Sequence, residues 1–153
     1  MKGERLRVKG EKWLTRLFCV ALLSSFLLPL FTFCSRDNAC NTPFGEGGIV
    51  DINMPDFAAL QNVGGFVTIN RGYKGIFVRR LSYSDFVAFE CACPNDHDVR
   101  LQPLEGWDGG VLECPDCHSL YETVNGQPLE GAASGCSLYQ YSTYFDGYIL
   151  TIY

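Results

Sequence analysis

The residue types best suited to chemistry in this chain lie in two short cysteine loops. They are Cys91-Ala92-Cys93-Pro94-Asn95-Asp96-His97 and Cys114-Pro115-Asp116-Cys117-His118. Together they read C-x-C-x20-C-x2-C with a histidine beside each pair. Thiolates bind Zn²⁺ or iron–sulfur clusters through strong, directional bonds, and two pairs on separate loops supply four corners. In the C-P-x-C half the proline presets the chain direction, and the i, i+3 spacing lets both sulfurs face one point. In the C-x-C half, two residues of a true strand would share a face yet run past each other. That pair must therefore sit on a loop, as Pro94 directly after Cys93 indicates. The expected metal ligands are Cys91, Cys93, Cys114 and Cys117, with His97 and His118 as substitutes for Cys91. His97, among Asn95, Asp96 and Asp98, also suits a solvated loop, and His118 suits a supporting role, since neighbours rarely both reach one tetrahedral ion. A disulfide such as Cys93–Cys114, or bare thiols, is the alternative use of the same residues.

Each pair follows an apolar run, Phe86-Val87-Ala88-Phe89 or Val111-Leu112, that reads as a strand ending in a loop. Further strands are expected at Ile49–Asn53, Phe66–Ile69, Gly75–Arg80 and Ser119–Val124. A closing hairpin is expected from Leu138–Phe145 and Tyr148–Tyr153 across Asp146-Gly147. Asp56 to Gln61 can form one helical turn with Asp56 as its cap, and Asn125-Gly126 marks a turn. Short strands bounded by Gly, Pro, Asn or Asp, with no sustained 3.6-residue period, predict an all-β sandwich or barrel. Phe66, Ile69, Phe77, Val78, Phe86, Val87, Phe89, Leu120, Tyr121, Tyr141, Ile149 and Ile152 are its candidate core. Trp107 reads as a surface aromatic in a long turn or a lid over the cysteine loops.

Residues 1–33 combine a basic head (Lys2, Arg5, Arg7, Lys9, Lys12, Arg16) with an apolar run from Leu17 to Phe33. This reads as an export signal or an N-terminal anchor helix, slightly short for a membrane span, which takes about 20 residues. Cys34 closes the run as the lipidated cysteine of a bacterial lipoprotein would, although Phe33 stands where a small residue is usual. Residues 34–48 then read as a flexible tether and 49–153 as the domain, placed in the cell envelope, facing the periplasm and held to the membrane by lipid or helix. Beyond residue 33 there are six basic and fifteen acidic residues, which argues against nucleic acid as a partner. With Cys34 lipidated and four cysteines at metal spacing, Cys40 and Cys136 remain as a candidate disulfide, one of fifteen pairings of six cysteines. No catalytic triad, phosphate loop or nucleotide fingerprint is present.

The order of these features resembles the Rieske iron–sulfur domain, over roughly residues 64–153. Its pattern is C-x-H, a spacer, then C-x2-H, two cysteines on one iron and two histidines on the other. Cys93-Pro94-Asn95 looks like the first motif with asparagine in the histidine position. Cys114-Pro115-Asp116-Cys117 looks like the second with cysteine in the histidine position. Tyr121-Glu122, Asn125-Gly126, Pro128, Gly131-Ala132, Leu138, Tyr141, Gly147 and Ile149 follow the family's closing pattern. The resemblance is close to a group of short Rieske-like lipoproteins of Gram-negative bacteria. It implies a small antiparallel β-sandwich, a [2Fe-2S] cluster and single-electron transfer to a partner protein. With all four ligands thiolates, the potential would fall toward about −400 mV. The different-class alternative is a non-redox envelope module in which the cysteines hold zinc, form disulfides or have lost the cluster.

Overall fold

The structure is a computed structural model that describes residues 40–129, 132 and 135–153. The expected export segment, anchor helix and Cys34 lie outside the described residues. No helix among the described residues is long and apolar enough to cross a membrane. Among the described residues ten antiparallel strands form three sheets, with one 3-10 helix at Pro55–Gln61.

The central sheet runs in the order β2 (Phe66–Ile69), β3 (Ile76–Arg80), β4 (Phe86–Glu90), β8 (Gln140–Tyr141). β3 and β4 read IFVRR and FVAFE, and nearly every residue in them is buried. Unbroken apolar runs of this kind belong to strands covered on both faces, and two separate cores account for it. Ile76, Val78, Phe86 and Ala88 face one core with Val50, Leu60, Leu150 and Ile152. Phe77, Val87 and Phe89 face the other with Leu101, Leu112, Tyr121, Leu138 and three of the cysteines. The first core is closed by β1 (Gly48–Asp51), β10 (Ile149–Ile152) and β9 (Thr143–Phe145), paired in the order β1-β10-β9. The second is closed by β5 (Gln102–Pro103), β6 (Val111–Glu113) and β7 (Leu120–Glu122). Each fully buried Phe or Leu contributes about 2 kcal/mol, so a domain of this size gains from sharing one sheet between two cores.

Some local expectations shift. The helical turn begins at Pro55, and its N-cap is Met54 without a side-chain hydrogen bond, so Asp56 lies inside the first turn and does not cap it. The closing segment divides at Ser142: β8 pairs with β4, while β9 pairs with β10 around Asp146-Gly147. Between the two cysteine loops an isolated bridge joins Arg100 to Ala92. Residues 40–48, assigned above to the tether, are fastened in the structure. Cys40 is disulfide-bonded to Cys136, Phe44 stacks on Tyr139 with ring centroids 4.1 Å apart, and the Gly45 amide donates to the Tyr141 hydroxyl at 3.2 Å.

Candidate metal centre

The second cysteine loop is built from its own residues. β6 delivers Cys114, whose amide donates to the Ser119 carbonyl at 3.0 Å, while the His118 amide donates back to the Cys114 carbonyl at 2.9 Å. Closing so tight a reversal puts His118 in the left-handed region, φ 54°, which non-glycine residues enter at a cost. The knuckle leaves Cys114 buried and Cys117 half-buried. Cys117 Sγ lies 3.1 Å from the Ser119 hydroxyl.

The first loop is held partly by its own two arms and partly from outside. Its arms stay in register through Cys91 N–H to Gly75 O (2.8 Å), Leu101 N–H to Cys91 O (2.7 Å) and Cys93 N–H to Val99 O (3.0 Å). At its root sits Glu90, fully buried. One carboxylate oxygen accepts the amides of Lys74 (2.8 Å) and Ala92 (3.3 Å). The other accepts the Tyr73 amide (2.8 Å) and the Tyr141 hydroxyl (2.7 Å). A buried carboxylate is tolerable only when so satisfied. Here it ties the β2–β3 turn, β8 and the first loop into one knot, while burial, and after it the hydrogen bond to Glu90, pushes the Tyr141 phenol upward.

The two tips bring Cys93, Cys114 and Cys117 together, with all three sulfurs within 4.8 Å of one another. Cys93 and Cys117 Sγ are 3.7 Å apart. Burial pushes the Cys93 thiol up to about 12, against the Asp96 and Asn95 amides that donate toward its sulfur. Burial acts on Cys117 in the same sense but is outweighed by the Ser119 hydroxyl and amide and by the Cys114 and Cys93 thiols, which bring it down to about 7. Amides and thiols aimed at a sulfur favour its thiolate, the form that binds metal.

Cys91 does not join this group. It sits just past the end of β4, its amide donating to the Gly75 carbonyl and its carbonyl accepting from Leu101. It faces the Arg100 guanidinium and the Phe77 backbone instead, and burial pushes its thiol up to about 12. Neither histidine is among the three: His97 is half-buried on the first loop, and His118 turns outward with Nδ1 3.0 Å from Glu113 Oε1. Trp107 is exposed. Cys40 and Cys136 are joined to each other, Cα atoms 5.6 Å apart, and the other four described cysteines are free. Glu90, Tyr141 and Ser119 are the positioning residues that sequence reasoning passed over. An acid ending an otherwise apolar strand, directly before the cysteine loop, was the available clue to Glu90.

No protein-family profile matches the chain, and no curated protein matches it. Among solved structures, it is similar to the ferredoxin of carbazole 1,9a-dioxygenase from Nocardioides aromaticivorans IC177, at 16% identity and a TM-score of 0.42. That match covers 60% of this chain and 86% of the ferredoxin. It is also similar to a chain in the complex of reduced oxygenase and oxidized ferredoxin in carbazole 1,9a-dioxygenase, at 21% identity and a TM-score of 0.41, covering 60% of this chain and 82% of that one.

Proposed function

We propose that this domain is a Rieske-like metal protein of the cell envelope that carries single electrons to a partner protein through a [2Fe-2S] centre on its two cysteine loops. The observation that carries the reading is the meeting of Cys93, Cys114 and Cys117 from two separate loops within 4.8 Å. The residues fit a thiophilic metal: three sulfurs converge, and backbone amides already point at Cys93. Cys93, Cys114 and Cys117 would hold the group, and the order of their motifs, as set out from the sequence, favours an iron–sulfur cluster. When bound, the cluster supplies a one-electron couple. The chain's own part is to fix the sulfurs, to bury Cys93 and Cys114 in the core that also holds Leu112 and Leu138, and to aim amides that stabilise negative charge on sulfur. Export and attachment through the N-terminal segment, by lipid on Cys34 or by a helix, complete the proposal.

One observation favours a second reading, a zinc-stapled module without redox activity. Sulfurs on one tetrahedral zinc with bonds of about 2.3 Å lie about 3.8 Å apart, and the Cys93–Cys117 separation is 3.7 Å.

Anaerobic purification of the full chain decides between them. A brown protein with visible charge-transfer bands and about two irons per chain supports the electron carrier. Colourless protein with stoichiometric zinc supports the staple. Neither metal at stoichiometry overturns both. In either metal-bound case Cys114→Ser should remove most of the metal and Cys91→Ala should leave it in place.

A further inference from the structure

The described residues hold five Lys and Arg side chains: Arg71, Lys74, Arg79, Arg80 and Arg100. Two are used internally. Arg80 is buried and donates to the carbonyls of Leu60, Gln61, Ser82 and Tyr83. Arg79 donates to the Thr123 hydroxyl and the Gly109 carbonyl. The other three line one groove of about 410 Å³, together with Asn70, Tyr73 and Gly75, at the root of the first cysteine loop. In a chain rich in acidic residues, all the cations left to solvent in the described domain therefore gather at one concavity.

Their neighbours do not use them up. Lys74 Nζ lies 3.6 Å from Asp98, but among the described residues no carboxylate forms an ion pair with Arg71 or Arg100. The nearby Glu90 is not their counter-ion by geometry, since both its oxygens are already engaged by three amides and the Tyr141 hydroxyl. Arg71 and Arg100 are exposed. The Arg100 guanidinium lies against Gly75, where an added Cβ would come within 2.9 Å of Nη2. The absence of a side chain there lets the guanidinium lie close to the turn. Two guanidinium forks, each with donors to spare, form the arrangement that takes a planar or tetrahedral oxyanion by paired hydrogen bonds.

The geometry points to an oxyanion-binding site in this groove, taking a phosphate or clustered carboxylate group between Arg71 and Arg100 with Lys74 at its edge. The oxyanion could come free or as the phosphate of a lipid headgroup, and the same chemistry serves both. The site is separate from the three-sulfur cluster, and nothing in it requires a metal.

The full chain is titrated at low ionic strength with inorganic phosphate, with citrate, and with phosphatidylglycerol vesicles against phosphatidylcholine vesicles, following the Arg Nε–Hε resonances. Saturable binding of phosphate or citrate is expected. Arg71→Gln or Arg100→Gln should weaken it about tenfold or more, and Lys74→Gln less. Stronger response to phosphatidylglycerol than to either free ion assigns the lipid source; the reverse assigns the free one. Should Arg100→Gln disturb the cysteine loop it touches, as a changed melting transition would reveal, Arg71→Gln carries the test, because the Arg71 side chain makes no hydrogen bond among the described residues. No saturable binding to any of the three, or wild-type affinity in the Arg71→Gln variant, overturns the site.

Discussion

The two cysteine loops reach the same point by opposite means. The second is a knuckle closed within six residues, Cys114 to Ser119, and it contributes two sulfurs. The first contributes only Cys93, and it leans on groups distant in sequence: Tyr73, Lys74 and Tyr141 gathered on Glu90, and Gly75 on the Cys91 amide. A local motif thus carries its geometry in its own spacing, whereas a loop held by tertiary contacts carries it in residues that do no chemistry.

The sharpest way to break this contrast is to remove Glu90. Glu90→Ala leaves three amides without their acceptor and the Tyr141 hydroxyl with the Gly45 carbonyl alone, and should lower stability by roughly 3 kcal/mol, read from denaturant unfolding. Hydrogen exchange should accelerate at the Val99 and Leu101 amides while the Cys114 and His118 amides keep their protection. Equal acceleration in both loops would mean that the knuckle is not self-sufficient.

A moderate effect is expected at Ser119. The thiolate is the reactive form; the Ser119 hydroxyl and amide and the neighbouring thiols lower the Cys117 thiol against its burial, while burial raises that of Cys93. In chelator-treated protein, iodoacetamide at pH 7 should therefore modify Cys117 far ahead of Cys93. Ser119→Ala withdraws a hydroxyl that stabilises the thiolate, so the midpoint of the alkylation pH profile should move up, toward the ordinary value of about 8.5. An unmoved midpoint would show that the hydroxyl does not tune the sulfur.

The smallest effect lies at His118. Its left-handed backbone suits glycine, and its side-chain contact with Glu113 is solvent-exposed and worth little. His118→Gly should raise stability by roughly 0.5 kcal/mol without loss of metal. A substantial loss of metal would return the histidine to the site.

The same contrast marks what could be read from the residues alone. The all-β class follows from the alternating and continuous apolar runs, and β3 and β4 occupy the spans their patterns indicate. C-P-x-C is legible because it is local. Cys91 is the instructive case: spacing places it beside Cys93, but just past the end of β4 its amide donates to Gly75 and its carbonyl accepts from Leu101, and its thiol meets Arg100. No pattern over a few residues encodes that pairing. Glu90 is hidden for the same reason, since an acid at a strand end ordinarily marks solvent and its burial depends on a turn seventeen residues earlier and a tyrosine fifty-one residues later. The 40–48 segment is rich in glycine and polar residues, yet its place is set by one covalent bond and one ring stack.

That covalent bond has a mechanical consequence. Joining Cys40 to Cys136 turns everything between them into a closed ring. A pull between the two chain ends passes across the two sulfurs and on to the final strands, by-passing the ring. Both cysteine loops lie inside it, so tension on the molecule would reach the last hairpin without stretching the chain segments that set the spacing of the three free sulfurs.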